Sequence, residues 1–102
     1  MESRRIKTDI TVDWAILTNG QAVSLSGRDL TLYLVDPERE RTQLQFETMG
    51  NVIIFNFPAS DQKYLGCYGL TLYENKDKEG QAVLDYPNAF KLVPLSILET
   101  NE

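Results

Sequence analysis

Gly66-Cys67-Tyr68-Gly69-Leu70-Thr71-Leu72-Tyr73-Glu74-Asn75 is the stretch whose reading decides the fold. It opens at a glycine and then sets Tyr68, Leu70 and Leu72 at every second position, with small or polar residues between them. Successive strand side chains point to opposite faces of a sheet, so this spacing predicts a half-buried strand. Tyr73, at the opposite parity, falls on the outer face.

The same pattern recurs on both sides. Ile10, Val12, Trp14 and Ile16 alternate with polar or small residues, and Asn19-Gly20 then supplies a strong reversal signal. Val23 and Leu25 suggest a short apolar pair. Leu30, Leu32 and Leu34 predict a further strand, with Tyr33 on its far face and Asp36-Pro37 ending it. Glu38 to Arg41 is a charge cluster too short for a stable helix and is read as a solvated loop. Leu44 and Phe46 mark a short strand, and Val52-Ile53-Ile54-Phe55-Asn56-Phe57 has the β-branched and aromatic content of a central one. Ser60 to Lys63 suits a single helical turn. Asp85-Tyr86-Pro87-Asn88 breaks the alternation before Phe90 and Leu92, with Leu95 to Leu98 extending the last strand and Glu99 to Glu102 fraying.

Seven to eight short antiparallel strands at this turn spacing describe an all-β sandwich in one domain, residues 1–102, with an ordered core over about residues 7–98 and flexible termini. A chain of 102 residues can bury a core without metal or disulfide staples. Trp14, Phe46, Phe55, Phe57, Tyr68 and Phe90 fall at inward parity or in the apolar run and are read as core.

The chemistry is mostly a matter of exclusion. The chain has no histidine and one cysteine, which removes Ser-His-Asp and Cys-His catalysis, internal disulfides and any ordinary zinc site. Cys67 is read as a buried or half-buried thiol. Asp13 and Asp85 are the least implausible acid–base carboxylates, yet Asp13 points outward and Asp85 opens a turn. No phosphate-binding glycine loop or calcium-loop spacing occurs. The expectation is a protein without catalytic activity, metal or cofactor.

A formal charge of −5 at pH 7, with a basic cluster only at Arg4, Arg5 and Lys7, argues against nucleic acid as a partner. No apolar run reaches the roughly 20 residues of a membrane span, and the first residues lead into polar alternation rather than an apolar signal core, so no signal peptide is expected. Cysteine usage suits a reducing compartment, so the protein is expected to be cytoplasmic as synthesised. The candidate partner-binding residues are Tyr33 and Tyr73. If their strands are neighbours, the two rings form an exposed patch for a protein or a sugar.

Two resemblances add to this reading. Gly66-x-Tyr68-x-Leu70 resembles the tyrosine corner of immunoglobulin-like sandwiches, where a tyrosine hydroxyl ties back to upstream backbone, and Trp14 suits such a core. The stretch Asn19-Gly20-Gln21-Ala22-Val23-Ser24-Leu25-Ser26-Gly27-Arg28-Asp29-Leu30-Thr31-Leu32-Tyr33-Leu34 resembles the opening of phage baseplate upper protein N-terminal domains. The likeness continues through Asp36-Pro37, Val52 to Phe57 and Gly66-x-Tyr68, covering roughly residues 8–94 with short motifs. Tyr73-Glu74-Asn75 and Asp85 to Phe90 depart from it and mark a divergent relative. The resemblance implies a structural or adaptor module of a phage or prophage tail or baseplate, virion-associated, contacting protein subunits that include copies of itself. A carbohydrate- or host-surface-binding module is the alternative on the same fold.

Overall fold

The fold is described from a computed structural model, over residues 2–94. Eight strands and one short 3-10 turn follow in the order β1 (Glu2–Arg5), β2 (Ile10–Ala15), β3 (Leu30–Val35), β4 (Arg41–Leu44), β5 (Glu47–Met49), β6 (Val52–Phe57), the turn at Ala59–Asp61, β7 (Gly66–Glu74) and β8 (Ala82–Val93). They form a five-stranded sheet, β1-β8-β7-β3-β4, and a three-stranded sheet, β2-β6-β5. This is an all-β sandwich with the immunoglobulin-like order: β2-β6-β5 stand as strands B, E and D, and β4-β3-β7-β8 as C′, C, F and G.

The two-residue period builds the core. Ile10, Val12 and Trp14 from β2, Ile53, Phe55 and Phe57 from β6, Leu32 and Leu34 from β3, and Tyr68, Leu70 and Leu72 from β7 are all buried. Phe90 and Leu92 of β8 close the same layer. Tyr68 and Phe90 stack with ring centroids 5.2 Å apart, and Phe57 meets both edge-on. Phe46 is half-buried against this core rather than within it.

Several sequence expectations are corrected. Strand β1 begins at Glu2, ahead of the expected ordered core, and pairs with β8 in parallel, so the sandwich is not wholly antiparallel. Its Glu-Ser-Arg-Arg sequence has no apolar alternation, so its pairing with β8 leaves no hydrophobic signature in the chain. Val23 and Leu25 form no strand: Leu25 drops into the core while Val23 stays exposed. The Asn19-Gly20 turn is real, with both residues at positive φ and Thr18 bridged to Gln21. Strand β6 is the middle strand of its sheet, as expected, but it buries one face only.

Asp85 to Asn88 does not interrupt the last strand. Strand β8 runs through it for twelve residues by means of a bulge, the register jumping from Tyr68↔Phe90 to Leu70↔Tyr86. Gly69 sits opposite the bulge. A Cβ there would lie 2.9 Å from the Pro87 carbonyl oxygen and 3.1 Å from its Cα, so only glycine lets the two backbones approach. The continuation expected over Leu95 to Leu98 and the fraying over Glu99 to Glu102 lie outside the described residues. Among the described residues no helix is long and apolar enough to cross a membrane.

Two polar ties fasten the loops. Gln62, buried just after the 3-10 turn, accepts from the Lys7 amide at 2.6 Å and donates to the carbonyls of Thr8 (2.7 Å) and Phe57 (3.0 Å). Arg28, in the β2–β3 loop, makes a two-pronged bond to Glu74 at the end of β7, both prongs 2.8 Å, and donates a third bond to Thr18.

The Arg28 hydrogen bonds hold the Glu74 carboxyl below the ordinary glutamate value of 4.5. A carboxylate depressed in the folded state contributes stability above its unfolded pKa and loses it as pH falls through the folded value. Glu74→Gln is therefore expected to cost about 1 kcal/mol near neutral pH, a modest figure for a pair about a quarter exposed to solvent. The gap between variant and wild type should narrow in acid, as the pH falls through the depressed folded-state value. Urea unfolding at neutral and at acid pH checks this; a gap that persists in acid would mean that the pair acts through packing rather than charge.

Candidate functional site

The outer face of the five-stranded sheet carries the candidate site. Outward parity places Thr31, Tyr33 and Val35 of β3 beside Tyr73, Thr71 and Gly69 of β7, and Tyr33 and Val35 beside Gln43 and Arg41 of β4. The structure therefore brings Tyr33 and Tyr73 together across neighbouring strands, diagonally related through the Thr31↔Tyr73 pair. Their rings meet edge to face with centroids 5.7 Å apart.

Arg41 completes the cluster. Its guanidinium carbon stands 4.5 Å from the Tyr33 ring centroid and 5.3 Å from that of Tyr73, and its Nη2 donates to the Tyr73 hydroxyl at 2.8 Å. A guanidinium over an aromatic face is held by the ring quadrupole. Lys76, from the β7–β8 loop, lies 5.9 Å from both ring centroids. Its ammonium bonds Asp77 at 2.9 Å, which raises its pKa. Two cations thus gather on one spot of a chain whose net charge is negative. Arg41 makes no ion pair with a carboxylate among the described residues.

Next to this cluster the sheet dips where β8 bulges. The concavity, about 500 Å³, is lined by Asp36, Arg39, Cys67, Thr71, Asp85 and Asn88 among others. Thr71, cross-strand from Tyr33, donates its hydroxyl to Asp85 at 2.9 Å. Asp85 is thus an outward strand residue rather than the start of a turn, and its carboxylate is already engaged. Cys67 is exposed, contrary to the buried or half-buried thiol expected, because its position is of outward parity on β7. Asp13 points outward from β2, as expected, on the opposite sheet. Among the described residues no group of three or more His, Cys, Asp or Glu side chains is placed to hold a metal.

Trp14 and Tyr68 take structural places. Trp14 is buried and its ring packs on Tyr86 with centroids 5.5 Å apart. Tyr68 is 1% exposed and donates its hydroxyl to the Tyr64 carbonyl at 2.7 Å, four residues upstream. That is the tyrosine-corner bond. Burial pushes the Tyr68 hydroxyl pKa up.

A second feature is the first half of β8. Strand β1 covers that edge only from Phe90 to Val93, and residues 82–88 are all exposed, with Val83, Leu84 and Tyr86 among them. Sequence reasoning sets Arg41 in a solvated charge cluster, whereas the structure sets it at the start of β4 over Tyr33. The signal lay in its offset: Arg41 and Gln43 share a parity opposite to Leu44, which marks a strand already begun at Arg41.

Comparison with protein-family models, with curated proteins and with solved structures finds no match to this chain.

Proposed function

We propose that this domain is a non-catalytic adaptor that docks onto neighbouring protein subunits, copies of itself included, through the outer face of its five-stranded sheet. The observation that carries this reading is the Tyr33–Tyr73–Arg41 cluster. Tyrosine and arginine dominate the energetics of protein interfaces, and here they are gathered in advance on the outer sheet face, Arg41 exposed and the two tyrosines half-buried rather than fully exposed as expected. Such ordering lowers the side-chain entropy lost on docking. The open first half of β8 supports the same reading, since an edge strand can accept another strand.

The setting proposed is a phage-like tail or baseplate, a cytoplasmic product carried into a particle. It rests on the resemblance of Asn19 to Leu34, Asp36-Pro37 and Gly66-x-Tyr68 to phage baseplate upper protein N-terminal domains. A sugar-binding role on the same face has less support. Sugars stack on open ring faces, whereas Arg41 already lies over Tyr33 and Tyr73 packs edge-on against it.

Hydroxyl-radical footprinting across a concentration series tests the reading. Oxidation of Tyr33 and Tyr73 should fall as concentration rises, while Met49 and Tyr64, both exposed away from this cluster, keep a constant rate. Equal rates for all four residues at every concentration would remove the outer face as the contact between copies.

A further inference from the structure

We infer that Arg41 is a carboxylate-recognition residue, and that the segment docking on the outer face presents an aspartate or glutamate side chain to it. The inference rests on the docking role proposed above and names the chemistry of what is docked.

The two tyrosines hold the guanidinium in place. Tyr33 lies under it at 4.5 Å and the Tyr73 hydroxyl takes one of its N–H groups at 2.8 Å. An arginine has five N–H donors in a planar fork, so this arrangement fixes the plane while leaving donors unspent. Arg41 is exposed and pairs with no carboxylate of its own chain among the described residues. The contrast with Arg28 is instructive. That side chain spends its fork on Glu74 and Thr18 and serves only the fold.

Charge selects the ligand. Arg41 brings a positive charge without a carboxylate partner among the described residues to a chain of net charge −5, so an acidic side chain meets attraction at this residue and repulsion over much of the remaining surface. A carboxylate matches a single fork in two parallel hydrogen bonds. A phosphate fits less well. The neighbouring cation, Lys76, is already neutralised by Asp77, and Asp77 would oppose a second negative charge. Gln43, exposed and cross-strand from Tyr33, offers a neutral hydrogen-bonding group for the backbone of the bound segment.

The test titrates the intact chain with a blocked tetraglutamate peptide, a blocked tetraglutamine peptide and inorganic phosphate. The Arg41 Nε–H resonance and the Tyr33 and Tyr73 ring signals are followed by NMR. Saturable shifts are expected with tetraglutamate and not with the other two, weakening as salt is added. Arg41→Gln should abolish them. Arg41→Lys, which keeps the charge but loses the fork, should bind at least about tenfold more weakly. No saturable shift with tetraglutamate, equal binding of tetraglutamine, stronger binding of phosphate, or undiminished binding by Arg41→Gln would each overturn the inference. Footprinting protection without peptide binding would sink the carboxylate chemistry alone. Peptide binding without protection would sink contact between copies and leave the carboxylate site standing.

Discussion

Tyr68→Ala is expected to destabilise the domain by about 4 kcal/mol, the range for removing a large buried aromatic side chain. Tyr68 is 1% exposed, stacks on Phe90 and meets Phe57 edge-on, so its removal opens a cavity between the two sheets. It also frees the Tyr64 carbonyl, to which its hydroxyl donates at 2.7 Å. Tyr68→Phe separates the two contributions. The ring and its packing stay, the corner bond goes, and the loss should be about 1 kcal/mol, the net value of a typical hydrogen bond. Urea unfolding of both variants gives the pair of numbers. A phenylalanine variant as stable as wild type would mean that the corner hydroxyl adds nothing beyond its ring.

Gln62→Leu is expected to cost about 3 kcal/mol although leucine is the more apolar residue. The side-chain amide serves three backbone groups at once: the Lys7 amide and the carbonyls of Thr8 and Phe57. Leucine fills the space and leaves all three without that partner. Lys7 sits at positive φ (67°), in a turn that Gln62 clamps between β1 and β2. Local loosening should therefore accompany the global loss. Faster amide exchange at Lys7 and in β1 is the measurement that distinguishes a clamp from a space-filler. Gln62→Glu keeps the acceptor for Lys7 but turns a carboxylate towards two carbonyls, so it should regain stability on acidification as the carboxyl takes up a proton. A Gln62→Leu variant as stable as wild type would mean that water or a local shift replaces the amide.

These two residues mark the division between what the chain makes legible and what it conceals. Tyr68 is readable because strand parity, a preceding glycine and the two-residue period all act within a few residues of one another. The pairing of Tyr33 with Tyr73 is readable for the same reason, once their strands are neighbours. Gln62 is not: a lone glutamine in a loop acquires its role from a turn 54 or 55 residues away. Strand β1 is hard to read because Glu-Ser-Arg-Arg has no apolar alternation, and parallel pairing to β8 is a property of the assembled sheet. The continuity of β8 was hidden by Pro87, which reads as a breaker until Gly69 is seen to make room for the bulge. Arg41 looked like one charge among four. Only the register of β4 against β3 sets it over Tyr33.

Molar mass by size-exclusion chromatography with light scattering, over a wide concentration range, tests the docking role most directly. Wild type should reach a defined symmetric oligomer, while the Tyr33→Ala, Tyr73→Ala double variant, with its melting temperature unchanged, should remain monomeric. A wild-type monomer at every concentration, or an oligomer indifferent to loss of both tyrosines, would contradict assembly through the outer face of the five-stranded sheet.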